Sequence, residues 1–168
     1  SDDWKTYDEI KKEQTDFVTQ FPINEISEIQ IDQYVQGKPL PITEDTNRTT
    51  FCYLLENGLE SFGSGSGGDA TKFGAYYNKK RAKYEYDEDD FNSIEESFSK
   101  IKEELTVILQ SGGRVKTDEN WNELSNIIDD QKYHISRHIV SKILAIYFPD
   151  TFVSIHSNAA INTILKFF

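Results

Sequence analysis

The sequence predicts an α+β fold, a small and mainly antiparallel sheet packed against several helices. Three observations lead there. Apolar residues recur at three- and four-residue steps on both sides of the centre. Between them, two tyrosine-rich runs alternate about Asn78-Lys79-Lys80 in the manner of a β-hairpin. The 168 residues are 37% hydrophobic and 13% aromatic, enough for one domain with a real core rather than a disordered chain.

In chain order, residues 3–20 place Trp4, Tyr7, Ile10, Phe17, Val18 and Phe21 on one helical face, with Asp2 or Asp3 as the cap. Pro22 ends that helix or opens a short second one over 22–27, and residues 31–35 make another helical turn, stopped by Gly37 and Pro39. Residues 37–48 are a loop by composition. Residues 49–55 are β-prone and predict a short strand, although a short helix ended by Asn57-Gly58 fits the same letters. Residues 63–71, GSGSGGDAT, are loop. Residues 73–77 and 81–86 form the hairpin, with the basic cluster at or near its tip.

Phe91, Ile94, Phe98, Ile101, Leu105 and Ile108 then define the cleanest helix, about 91–111, capped by Asp90 and stopped by Gly112-Gly113. A shorter helix capped by Thr117 or Asp118 carries Trp121, Leu124, Ile127 and Ile128. The segment 136–148 is apolar on more than one face, which predicts the central buried helix. Pro149-Asp150 breaks it, residues 151–156 predict a strand, and Ser157 caps a last helix. The organisation is one domain over 1–168: a helical lead-in (1–48), a strand, glycine-rich loop and basic hairpin (49–90), and helices with a short strand (91–168). The chain opens SDDW without Met and closes ILKFF in mid-pattern, which predicts a piece of a longer protein.

The net charge of −11 disfavours a protein that coats nucleic acid indiscriminately. Its distribution is more informative: residues 61–84 carry five bases and one acid, between acidic stretches on either side. Lys72, Lys79, Lys80, Arg81 and Lys83 interleave there with Tyr76, Tyr77 and Tyr84. Cations of this kind reach phosphates and exposed tyrosines stack on bases. The competing reading turns the tyrosines to the core and leaves the lysines as a solvated edge. The single cysteine, Cys52, excludes an internal disulfide and fits a small buried residue in a reducing cytoplasm. No apolar run is long enough to span a membrane.

Other motifs carry less. Gly63 and Gly68 have the separation of a phosphate-binding loop, but Asp69-Ala70 stands where Lys and Ser/Thr are needed, and an acid there repels phosphate. His134 and His138 have an i,i+4 spacing suited to a metal, without a third ligand nearby in sequence. His156 beside Ser154 and Ser157 lacks any nucleophile-elbow pattern. The expectation is no catalytic residue, no metal and no cofactor.

The central stretch resembles a known family. Phe51-Cys52-Tyr53-Leu54-Leu55-Glu56, Phe62-Gly63-Ser64, Gly67-Gly68 and Lys72-Phe73-Gly74-Ala75-Tyr76-Tyr77 are similar to the N-terminal recognition domain of McrB-like AAA+ GTPase subunits of modification-dependent (type IV) restriction systems. Phe21-Pro22, Ile31 and Tyr34 upstream, and Lys142-Ile143-Leu144 and Tyr147-Phe148-Pro149 downstream, extend the likeness over nearly the whole chain. Leu54, Gly65, Asp69 and Ala75 depart from the pattern. The resemblance implies a non-catalytic, cytoplasmic domain of antiviral defence that binds DNA, modified duplex included. A downstream AAA+ motor in the same chain and a separate nuclease subunit would act with it. Its DNA contacts are then expected at Lys72, Tyr76, Tyr77, Lys79, Lys80, Arg81, Lys83 and Tyr84. The alternative is a protein-interaction or sensor domain of a defence protein, working through its acidic surface.

Overall fold

A computed structural model describes residues 5–43, 45–62, 69–115, 118–130 and 133–152. The fold is mixed α+β, as expected, but the sheet is smaller than the sequence suggests. Among the described residues it is one antiparallel pair, β1 (Ala75–Asn78) and β2 (Lys83–Tyr86). Of the strand expected at 151–156, residues 153–156 lie outside the described residues, as does the helix after them, while Thr151 takes part in a turn.

Helix α1 (Tyr7–Gln20) starts at Thr6, not at Asp2 or Asp3. The Thr6 hydroxyl accepts from the Glu9 amide, and the Glu9 carboxylate reaches back to the Thr6 amide at 2.7 Å. A 3₁₀ helix follows over Ile23–Glu28, and then the one-turn α2 (Ile31–Tyr34).

The strand expected at 49–55 is a helix, α3 (Phe51–Asn57). Its residues are β-prone, but Thr50 caps the first turn through its hydroxyl, 3.3 Å from the Tyr53 amide. Phe51 and Leu55, one helical turn apart, are both fully buried. Capping and burial at i,i+4 outweigh a β-propensity that spans only about 1 kcal/mol.

Helix α4 (Ile94–Gly113) buries Phe98, Ile101, Leu105 and Ile108. Its cap is Ser93, whose hydroxyl accepts from the Glu96 amide at 3.1 Å, rather than Asp90. The helix ends at the expected Gly112-Gly113 pair. Gly112 lies where the later segment 137–148 crosses, so close that a Cβ there would meet the Leu144 side chain at 2.5 Å and the Phe148 ring at 2.9 Å. Helix α5 (Asp118–Asp130) buries Leu124, and its exposed Trp121 packs edge-on against Phe152.

Helix α6 (Arg137–Tyr147) is the buried centre: Ile139, Val140, Ile143, Leu144, Ala145 and Ile146 are all shielded. An aromatic cluster of Phe17, Phe21, Phe51 and Tyr34, with ring centroids 5.2 to 5.5 Å apart, joins the lead-in helices to α3. Three buried polar tips in this core find backbone carbonyls, whereas the buried Ser97 hydroxyl has no hydrogen-bond partner among the described residues. Tyr34 donates to the Phe73 carbonyl at 2.8 Å, Tyr147 donates to the Phe21 carbonyl at 2.5 Å, and the Lys142 ammonium donates to the Leu55 carbonyl. Cys52 is a free, fully buried thiol, in a helix rather than a strand, and burial pushes its pKa well up. Among the described residues no helix is long and apolar enough to cross a membrane.

Candidate nucleic-acid interface

The hairpin pairs Ala75 with Tyr86, Tyr76 with Glu85, Tyr77 with Tyr84 and Asn78 with Lys83, leaving residues 79–82 as a four-residue tip. The Asn78 side-chain oxygen accepts from the Lys80 and Arg81 amides at 3.1 and 3.2 Å, and Ala82 takes a left-handed φ of 52° to close the turn. Lys79, Lys80 and Arg81 thereby come out consecutively and exposed.

Period-two alternation divides the tyrosines. Ala75, Tyr77, Tyr84 and Tyr86 share one face, with Ala75 fully buried and Tyr77 and Tyr84 packed edge-on to each other at 5.3 Å against the core. Tyr84 is further held by polar contacts: its hydroxyl accepts from Lys38 at 2.8 Å and donates to Asp32. Tyr77 and Tyr84 thus hold the hairpin against the core while staying half-buried. Tyr76 lies on the other face, opposite Glu85.

Lys72, unlike the tip cations, is buried. Its ammonium is 2.5 Å from Glu56, with side-chain exposures of 6% and 17%, and it lies over the Phe73 ring. It ties the 3₁₀ turn Ala70–Phe73 to α3 from inside. Asp69 caps that turn, its carboxylate accepting from the Thr71 amide at 2.9 Å, and this hydrogen bond holds its pKa below the usual range. The glycines at 63–68 lie outside the described residues.

Acids crowd the base of the hairpin. Glu85 stands 3.2 Å from Arg81 and 3.4 Å from Lys83, and Lys83 also approaches Glu88 at 3.5 Å. The Lys83 ammonium is raised in pKa by its hydrogen bond with Glu85. Lys83 and Arg81 are thus both partly committed to Glu85 within the protein.

Behind Tyr76 opens a cavity of about 390 Å³ lined by Thr71, Gly74, Tyr76, Glu85, Tyr86, Asp87, Tyr133 and His134. His134 precedes α6, so it does not form a helical i,i+4 pair with His138, whose Nδ1 is 3.2 Å from the Ser136 hydroxyl. His134 is fixed instead by α4. The buried Glu104 carboxylate takes the His134 amide at 3.0 Å and Nδ1 at 2.7 Å, while Nε2 is 3.1 Å from Asp90. Burial pulls the imidazole pKa down, but Glu104 and Asp90 outweigh it and the net shift is upward. Sequence spacing missed this assembly, because Asp90 and Glu104 are 44 and 30 residues from His134. The chain matches no family model, no curated protein and no solved structure in comparisons with each.

Proposed function

We propose that this chain is a non-catalytic DNA-recognition domain, with modified duplex among its targets, in a cytoplasmic restriction or defence protein of the McrB-like kind. The observation that carries the reading is the hairpin tip. Three consecutive exposed cations, Lys79, Lys80 and Arg81, project from a protein whose net charge is −11. A local positive field on an acidic body orients a polyanion onto one place and repels it elsewhere. Tyr76 is the aromatic on the hairpin face away from the core, and the likeness to McrB-like recognition domains makes it the side chain set to meet a base. An attached AAA+ motor and a nuclease partner would convert recognition into cleavage.

The test is binding of matched modified and unmodified duplexes by the chain and by a Lys79→Glu/Lys80→Glu/Arg81→Glu variant. The expected result is binding at low salt with a log–log salt slope of about −3, one unit per phosphate, and loss of binding on charge reversal with the fold intact. Equal affinity in the variant refutes the assignment.

A second reading is favoured by the acids at the hairpin base. Glu85, Asp87, Glu88, Asp89 and Asp90 follow the tip directly and suit a basic protein partner. No duplex binding at low salt supports that interaction-domain reading over the first.

A further inference from the structure

The residues around His134 have the makings of a cation site, a matter separate from the DNA reading. One ligand atom each from Asp87, Asp90 and His134 lies within 4.8 Å of the others, and His134 Nε2 and an Asp90 oxygen are 3.1 Å apart. Ligands held about 2.1 Å from a tetrahedral or octahedral cation stand roughly 3.0–3.4 Å from each other. The existing edge already fits, and Asp87, whose carboxylate also accepts from the Asp89 amide at 3.1 Å, lies within 4.8 Å of it.

The surroundings distinguish this set from a chance group of surface acids. Glu104 is 3% exposed, and it holds Nδ1 from the side away from the cluster. That hydrogen bond fixes the proton on Nδ1 and turns Nε2 to the two aspartates, the carboxylate–histidine arrangement that orients and strengthens a metal-bound imidazole. The Phe91 ring packs on the imidazole with centroids 4.6 Å apart, and Gly74 brings its backbone beside the His134 Cβ. Asp90 does not cap α4, a role taken by Ser93. Asp87 and His134 both line the cavity behind Tyr76, which leaves room for further ligands. Tyr133 lines it too, and its hydroxyl is buried with no hydrogen-bond partner.

We infer that Asp87, Asp90 and His134 bind one divalent transition-metal cation, Zn²⁺ foremost, through Nε2 and two carboxylates, with Glu104 as the positioning residue behind the imidazole. One imidazole with two carboxylates favours Zn²⁺ over Mn²⁺ by the general order of affinities, and Mg²⁺ least because it prefers oxygen ligands and keeps its waters. Binding places two positive charges where the protein otherwise presents two negative ones, a few residues from the hairpin.

Calorimetric titration of the chain with ZnCl₂, MnCl₂ and MgCl₂ tests the site, with ¹⁵N imidazole spectra as the second readout. The expected result is one Zn²⁺ per chain, bound more tightly than Mn²⁺, with Mg²⁺ weakest. The His134 Nε2 resonance should shift while Nδ1 keeps its proton. Asp87→Asn/Asp90→Asn should lower Zn²⁺ affinity at least 100-fold, and Glu104→Gln should lower it about 10- to 100-fold. Zn²⁺ affinity unchanged in the double variant, metal on Nδ1, or no binding at about 1 mM overturns the inference. The spectra of the unaltered chain decide the matter even if a variant fails to fold.

Discussion

The Tyr84 hydroxyl donates to the Asp32 carboxylate, so the second hairpin strand is fastened to the one-turn helix α2 across 52 residues of chain. Lys38 completes a triangle, with its ammonium 2.8 Å from the Tyr84 oxygen and 2.5 Å from Asp32. Burial pushes the Asp32 pKa up, but the hydrogen bonds from Lys38 and Tyr84 prevail and leave it below the ordinary carboxylate range. A group with a lowered folded pKa gives stability that is present above its unfolded value, near about 4, and is lost as pH falls through the folded value. Tyr84→Phe removes one corner while keeping the ring. It should cost about 1 kcal/mol at pH 7, and the gap to the unaltered chain should close below about pH 4. Urea midpoints at neutral and acid pH measure both.

Lys72 and Lys80 look alike in the sequence and should behave as opposites. Removing the Lys72 ammonium leaves Glu56 largely buried without its partner, so Lys72→Gln should destabilise by about 3 kcal/mol. DNA affinity of the folded fraction should stay within about twofold, because Lys72 is not on the surface. Lys80→Gln should change stability by less than about 0.5 kcal/mol while flattening the salt slope by about one unit. Denaturation and duplex titration of the same two proteins separate the roles.

That contrast explains which parts of the structure could be read in advance. The hairpin was legible because alternation and a polar tip are local signals, and α6 was legible because Ile139, Val140, Ile143 and Ile146 are apolar around the helix. Helix α3, ended at Asn57-Gly58, was legible only as one of two readings, because Phe51-Cys52-Tyr53 has strand composition and its helicity comes from the Thr50 cap and tertiary burial. A charge written in the sequence does not say whether it is buried. Lys72 needed Glu56, 16 residues back, to be recognised as internal. The His134 assembly joins three separate parts of the chain, and spacing rules do not reach across such distances.

Gly74 lies between the 3₁₀ turn and β1 with φ 80°, and a Cβ there would sit 3.0 Å from Ile101 and 3.3 Å from the His134 Cβ. Both the backbone conformation and the space oppose a side chain. Gly74→Ala should destabilise by about 2 kcal/mol. Because His134 is the neighbour, the substitution should also weaken Zn²⁺ binding, whereas Gly58→Ala, at an ordinary φ at the C-terminal end of α3 and with only Leu54 beside it, should leave metal affinity unchanged. Thermal melts with and without ZnCl₂ read both effects.

Tyr76 and Tyr77 are adjacent, and the pleat sends them in opposite directions. Tyr77 packs against Tyr84 and the core, so Tyr77→Ala should lose about 2 kcal/mol of stability, less than a fully buried ring would because it is only half shielded. Tyr76→Ala should cost under about 1 kcal/mol, since it lines an open cavity. If Tyr76 stacks on a base, its removal should weaken duplex binding by about 1–3 kcal/mol, roughly 5- to 150-fold, with an unchanged salt slope because no phosphate contact is lost. A Tyr76→Ala protein that binds DNA as well as the parent would leave the tip cations as a purely electrostatic contact, and one that binds with a flatter slope would mean the hairpin itself had moved.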